Sequence, residues 1–333
     1  MIAFISLLIL AFLISIYTLY APNLKSVEED TYLYIPDEYN FEQVLDQLKE
    51  KAEIANTYTL KFVAQQLKYN TNIRPGRYSI TEGMSNLELI RKLRGGTQDP
   101  LKLRFNSLRT KEQLAGRLGS LLMADSMSII TLLNDEDYLK QYDLQPNTSV
   151  SLFIPNTYEV FWDMDANEIF EKMKREYDVF WNESRKAKAA AIPMSQIEVI
   201  TLASIIQDET NKNFEYPIIA GLYINRLKKK MPLQACPTVK FALGDFTLQR
   251  ILHRHLQVDS PYNTYMYPGL PPGPILMPST VCIDAVLNYE KHNYLFMTAK
   301  ETLNGEHHFA ATLTEHNKNA RRYQQALNKR GIK

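Results

Sequence analysis

The chain has 333 residues, 45% hydrophobic and 23% charged, with a formal net charge of +1. That length suits two or three domains with cores of their own, and the near-neutral balance argues against nucleic acid as a partner. The two cysteines, Cys236 and Cys282, give no disulfide framework; they read as buried thiols, with a pairing in an oxidising compartment as the alternative.

Ile2 to Tyr20 is apolar or weakly polar and carries no charge. Roughly twenty such residues, at about 1.5 Å each, cross the hydrocarbon core of a bilayer. No Lys or Arg precedes the run, and Leu19-Tyr20-Ala21-Pro22 is a poor cleavage site, so an uncleaved anchor is expected rather than a signal peptide. With no N-terminal charge to count, the positive-inside rule does not orient it.

An acidic, Pro-containing stretch, Ser26 to Asp37, then predicts a short stalk with one strand at Tyr32 to Ile35. Phe41, Val44, Leu45 and Leu48 share one face of a helix predicted from Phe41 to Lys51, and a second helical stretch runs near Leu60 to Leu67. Arg74-Pro75-Gly76-Arg77-Tyr78 reads as a turn into a strand. Ser85-Asn86-Leu87-Glu88 has capping-box spacing and opens a helix that Gly95-Gly96 stops. Leu101, Leu103 and Phe105 alternate with polar residues, which predicts a strand. These elements make a small α+β unit whose two strand-then-helix halves hint at duplication. From Thr110 to about Arg185 the pattern is mostly helical and polar, interrupted by an aromatic turn at Phe153 to Tyr158.

The segment Leu202-Ala203-Ser204-Ile205-Ile206-Gln207-Asp208-Glu209-Thr210 is the most informative in the chain. Ser195 and Glu198 have capping-box spacing, and from Ile197 to Ile206 the helix is apolar around most of its circumference, which places it in a core. At 3.6 residues per turn Glu209 stacks over Leu202, Ile205 and Ile206, with Gln207 on another face and Asp208 between the two. A carboxyl in apolar surroundings at a helix C-terminus is costly to ionise and keeps its proton toward neutral pH. The competing reading makes Asp208 and Glu209 the solvated last turn of a core helix.

A second helix follows from Pro217 to about Leu227, and Leu233 to Val239 reads as extended and loop-like. Ser260 to Tyr265 and Gly269 to Ile275 are too rich in Pro and Gly for a helix or a central strand. Rigid loops carrying Asn, Gln, Thr and Tyr suit the reading of sugar hydroxyls, and twenty Tyr supply flat rings with a polar tip. The same pattern also fits a long ordered loop.

In one order the chain carries Leu202-Ala203-Ser204-Ile205-Ile206-x-x-Glu209-Thr210, Ile224-Asn225-Arg226-Leu227, Leu233-Gln234, Pro237-Thr238-Val239, Tyr262-Asn263-Thr264-Tyr265, Gly269-Leu270-Pro271-Pro272-Gly273-Pro274-Ile275 and Gly305-x-His307-x-Phe309. This ordered set resembles the MltG (YceG-like) endolytic murein transglycosylases of bacteria over nearly the whole chain. The resemblance implies an α+β architecture: a transmembrane anchor at 1–25, a LysM-like membrane-proximal domain at 26–108, a mainly helical connecting region at 109–188 and a catalytic domain at 189–333. It implies a single-pass protein of the inner (plasma) membrane, with its catalytic domain outside the cytoplasm, acting on peptidoglycan glycan strands alongside peptidoglycan synthases. Glu209 matches the family's catalytic glutamate, the second acid of a Glu-x-Glu pair. The first acid is Gln207 here, and Cys236 stands where the family usually has Asp.

The reaction implied cuts the MurNAc-GlcNAc bond within the strand. The C6 hydroxyl of N-acetylmuramic acid attacks its own C1 and leaves a 1,6-anhydro end, so one carboxyl acting as acid and then as base can suffice. Gln234, Thr238, Tyr262, Asn263, Tyr265 and His307 are the expected sugar-holding residues. Two other classes stay open: a water-using muramidase with Asp208, Glu215 or Asp245 as second carboxylate, and a non-catalytic wall-binding scaffold. No cofactor is expected, and the six histidines show no metal-ligand spacing.

Overall fold

The computed structural model describes residues 1–248 and 251–331. Positions 249–250 and 332–333 of the 189–333 assignment therefore lie outside the described residues. The chain is mixed α+β and divides into two compact units, one of Met1–Leu103, Gly119–Asp125 and Tyr158–Asp165, the other of Arg104–Leu118, Ser126–Thr157 and Ala166–Lys333.

The first unit opens with α1 (Ile2–Tyr20), which has no buried residue and is long and apolar enough to cross a membrane. Then come β1 (Leu24–Lys25), β2 (Tyr32–Ile35), α2 (Phe41–Lys51), β3 (Glu53–Ile54), α3 (Thr57–Gln66), β4 (Gly76–Ser79), α4 (Asn86–Gly95), β5 (Leu101–Arg104) and β6 (Thr157–Val160). The pairings are β1 with β3, β2 with β4, and β5 with β6. In the antiparallel β2–β4 pair Leu33 lies opposite Tyr78, and both side chains join a core with Leu45, Leu60 and Ile90. Ser85 and Glu88 form the anticipated capping box, and Gly96 ends α4 at φ 68°, a left-handed conformation that glycine adopts without a Cβ penalty.

The stretch after the anchor is not a free stalk. Leu24 and Leu33 are fully buried, the Asn23 amide donates to Asn86 Oδ1 at 2.6 Å, and the Asn86 amide donates to the Thr18 carbonyl at the end of α1 at 2.9 Å. Acidic composition suggested solvation, but strand pairing recruits the alternate apolar residues. Strand β6 was also unexpected. It follows the aromatic turn immediately, and its inward residues Tyr158 and Val160 are only two in number, too few to register as alternation.

The second unit contains α5 (Lys111–Gly119), α6 (Ser126–Asn134), α7 (Glu136–Lys140), α8 (Ala166–Phe180), α9 (Glu183–Ala191), α10 (Gln196–Glu209), α11 (Tyr216–Lys228), α12 (Cys236–Leu243), α13 (Thr280–Leu287), the antiparallel hairpin β7 (Phe296–Ala299) and β8 (His307–Ala310), and α14 (Leu313–Lys329). Helix α10 is the centre of its core. Every residue from Val199 to Ile206 is buried, because the helix is apolar all round and is surrounded by α9, α11, α12 and α13. Burying one such Ile contributes about 1.5–3 kcal/mol, and truncating Ile205 to Ala costs about 2–5 kcal/mol. Polar groups in this core have partners: Ser204 donates to the Thr201 carbonyl and accepts from the Ile275 amide, and the Cys282 thiol of α13 donates to the Ala203 carbonyl. Gly221 in α11 is required by close approach, since a Cβ there would lie 2.2 Å from the Glu290 carbonyl oxygen.

Candidate active site

Three features of local sequence aim side chains at one cavity. Helix α10 stops at Glu209 because Thr210 turns to extended backbone. Helix α11 begins at Tyr216 with Pro217 in its first turn, where the missing N–H has no intrahelical partner to lose, and it presents Tyr223 and Arg226. Gln234 has φ 54°, uncommon for a residue with a side chain, and the conformation is held by its amide donating to the Thr264 carbonyl at 3.0 Å. The segment expected to stay extended through Val239 instead starts α12 at Cys236, with Pro237 at its first turn.

The cavity has a volume of about 300 Å³ and is lined by Glu209, Tyr223, Arg226, Gln234, Cys236 and Tyr265. Phe296 to Ala299, His307 and His316, supplied by the β7–β8 hairpin and α14, also line it. Among the described residues Glu209 is the only acidic one on the lining. Its side chain keeps some accessible surface, but that surface faces the cavity, and protein atoms crowd the carboxyl. Desolvation raises its pKa to about 7, with the nearby Asp208 pushing the same way. The Tyr223 hydroxyl, which donates to Glu209 Oε1 at 2.9 Å, and the Lys240 charge act in the opposite direction. A carboxyl poised near neutrality can both give and take a proton in one turnover.

The neighbouring carboxylates have other partners. Asp208 meets the Arg109 guanidinium with two bonds, at 2.9 and 2.5 Å. Glu215 is buried and accepts from the Thr210 hydroxyl at 2.8 Å, the His307 amide at 2.7 Å and His307 Nδ1 at 2.9 Å. Asp245 accepts from the Thr247 amide and hydroxyl and lies off the cavity lining. Gln207 is also off the lining, donating to Ser107 and accepting from the Ser279 amide.

Of the residues expected to hold sugar, Gln234, Tyr265 and His307 line the cavity with Glu209. The Gln234 Oε1 accepts from Arg226 at 2.5 Å, and since arginine only donates, the side-chain Nε2 of Gln234 is left free to serve as a donor. Tyr265 shares a hydrogen bond with the Cys236 thiol at 3.2 Å. Bonding of His307 Nδ1 to Glu215 leaves Nε2 uncommitted. Thr238, Tyr262 and Asn263 do not reach the lining. Thr238 is buried and bonds the Ala235 carbonyl and the Thr264 hydroxyl. Asn263, also buried, donates to the Leu256 and Val258 carbonyls and accepts from the Tyr265 amide. Tyr262 packs its ring on Phe241 at 4.7 Å. These three hold the loops that carry Gln234 and Tyr265.

Tyr223, Arg226, Cys236, His316 and the residues 296–299 were not among the expected site residues. Cys236 alone had been singled out, as standing where the family usually has Asp. No group of three or more His, Cys, Asp or Glu among the described residues is arranged to hold a metal ion.

The chain belongs to the YceG-like family. The YceG-like family model matches residues 33–322. An endolytic murein transglycosylase of Bacillus subtilis (strain 168) is 31% identical over 297 residues, covering 84% of this chain and 80% of that protein. A protein of the same name from Streptococcus pneumoniae (strain ATCC BAA-255 / R6) is 25% identical over 319 residues, covering 86% of this chain and 57% of its own length, so this chain spans a little over half of that relative. In structure the chain is similar to a yceG-like protein from Listeria monocytogenes, with a TM-score of 0.58, 28% identity, and coverage of 86% of this chain and 98% of that one.

Proposed function

Because the chain belongs to the YceG-like family, we propose that it is an endolytic murein transglycosylase with Glu209 as its catalytic residue. The observation that carries this reading is the lone carboxyl among the described residues of the cavity. A hydrolase of the ordinary kind needs a second carboxylate as nucleophile or as base for water. Here Asp208 and Glu215 are tied to Arg109 and to His307 and Thr210. An intramolecular attack needs no such partner. Glu209 protonates the glycosidic oxygen, the C1–O bond breaks, and the leaving sugar departs as an alcohol. The C6 hydroxyl of N-acetylmuramic acid then closes on C1 and returns its proton to Glu209. A nucleophile held in the same sugar has a very high effective concentration, so its weak intrinsic reactivity suffices.

Gln234, Tyr265 and His307 hold the sugar in this reading, while Thr238, Tyr262 and Asn263 shape the loops. Residues 26–108 serve as a LysM-like membrane-proximal domain. Helix α1 spans the inner membrane with the chain that follows it outside the cytoplasm, where the enzyme ends glycan strands beside the synthases that extend them. Digestion of the chain beyond α1 by protease added to spheroplasts is expected, and its protection would refute this orientation.

The test of the reaction is the product. Purified peptidoglycan should yield internal cuts ending in 1,6-anhydro-N-acetylmuramic acid, lighter by one water than a hydrolysed end. Glu209→Gln should lose cleavage by about two to four orders of magnitude while retaining glycan binding. Reducing ends as the main product would replace the transglycosylase with a muramidase. An active Glu209→Gln would remove the catalytic assignment.

A further inference from the structure

Resting on that reading, we propose that Tyr223 is a positioning residue for the reaction: its phenol occupies Oε1 of Glu209 through the cycle, so that Oε2 gives the proton and takes it back. The geometry allows little else. Tyr223 is buried in α11, its ring is fixed in the core, and its hydroxyl lies 2.9 Å from Glu209 Oε1. A phenol has one hydrogen to donate. Burial and the adjacent carboxyl push its pKa well above the ordinary value, so it keeps that hydrogen. Oε1 is thereby an acceptor in both protonation states of Glu209, and the proton resides on Oε2.

This arrangement also answers a requirement of a one-carboxyl mechanism. After protonating the leaving group Glu209 must persist as a carboxylate, away from bulk water, until the C6 hydroxyl attacks. A hydrogen bond from Tyr223 stabilises that state and is retained in the acid state, so neither half-reaction has to reorganise it. Atoms balance across the cycle: one proton leaves Oε2 for the glycosidic oxygen, one returns from the C6 hydroxyl, and the phenol hydrogen stays where it is.

The other groups around Glu209 do not substitute for Tyr223. Asp208 and Lys240 act by charge from the same helix and from α12. Arg226 is bonded to Pro232, Leu295 and Gln234, and Cys236 and Tyr265 bond each other. His307 is held by Glu215, and His316 lines the cavity from α14 with no hydrogen bond to Glu209.

The experiment is Tyr223→Phe in the full chain, which removes one oxygen and leaves the packing. Two readouts are needed: the pH profile of turnover, and the infrared carbonyl band of protonated Glu209, identified by difference from Glu209→Gln. Loss of the bond should raise the pH at which the Glu209 acid band disappears by about one unit, move the alkaline limb of the profile in step, and lower turnover at the optimum about ten- to a hundred-fold with KM little changed. An acid band and alkaline limb at their wild-type positions would overturn the proposal, whether or not turnover fell, since lost packing alone moves neither. Because the infrared band needs no turnover, a failure here is separable from a failure of the transglycosylase reading, which wild-type products and Glu209→Gln decide.

Discussion

Replacing Glu209 by Gln should change stability in a pH-dependent way, and the structure sets both sign and size. The folded chain holds this carboxyl at about 7, against an ordinary value of 4.5. Below pH 4.5 folded and unfolded chains are both protonated here, and the group costs nothing. Between 4.5 and 7 the unfolded chain has lost a proton that the folded chain keeps, so stability falls as pH rises through that window, and above 7 the loss is complete. At 1.36 kcal/mol per pH unit the ceiling is about 3 kcal/mol. The carboxyl keeps some accessible surface, and the screening this allows brings the expected cost to about 1–2 kcal/mol. The amide that Glu209→Gln introduces cannot ionise, and its carbonyl still accepts from Tyr223. Denaturant unfolding of the full chain in detergent can be followed by tryptophan fluorescence, because Trp181 is fully buried in the core that surrounds α10. At pH 8 the variant should be more stable than the wild type by about 1–2 kcal/mol, and at pH 4.5 the two should agree within about 0.5 kcal/mol. An equal difference at both pH values, or a wild type that is the more stable at pH 8, would refute the buried-acid argument.

Gln207→Glu should retain activity, because a carboxylate still accepts from the Ser279 amide and the Ser107 hydroxyl can turn to donate; turnover reduced as far as by Glu209→Gln would place Gln207 in the catalytic set. Arg109→Met leaves Asp208 half-buried without its partner and should destabilise the chain by about 1–3 kcal/mol, with Asp208→Asn restoring most of the loss in urea unfolding. A thiol reagent should label exposed Cys236 in the folded chain and reach Cys282 only after denaturation, since Cys282 is fully buried and burial pushes its thiol pKa far up; mass analysis showing early Cys282 labelling would contradict the packing of α13 on α10.

Much of the frame was legible along the chain because it is written in local signals. Helix α10 announces itself by an apolar circumference and a capping box, and α4 by a second capping box and a glycine stop. The charge-free run of α1 needs only its length and composition. The setting of Glu209 was legible for the same reason: helical geometry stacks it over Leu202, Ile205 and Ile206, and apolar surroundings raise its proton affinity, although the same pattern also fitted a solvated last turn.

What only the tertiary structure decided depends on pairings between distant segments. Tyr223 meets Glu209 because α10 and α11 pack side by side, and no periodicity within either helix reports the register of one against the other. Strands β7 and β8 are part-buried along almost their whole length and show no inward-outward alternation, so the residues Phe296 to Ala299 were invisible as site residues until the hairpin closed. The polar loop residues divide by context as well. Gln234 and Thr238 are both plausible sugar ligands by type, but a left-handed backbone and an arginine hold Gln234 at the cavity, while Thr238 turns inward to satisfy the Ala235 carbonyl. Residue type fixes which hydrogen bonds a side chain can make, and the fold decides whether its partner is the backbone or the cavity.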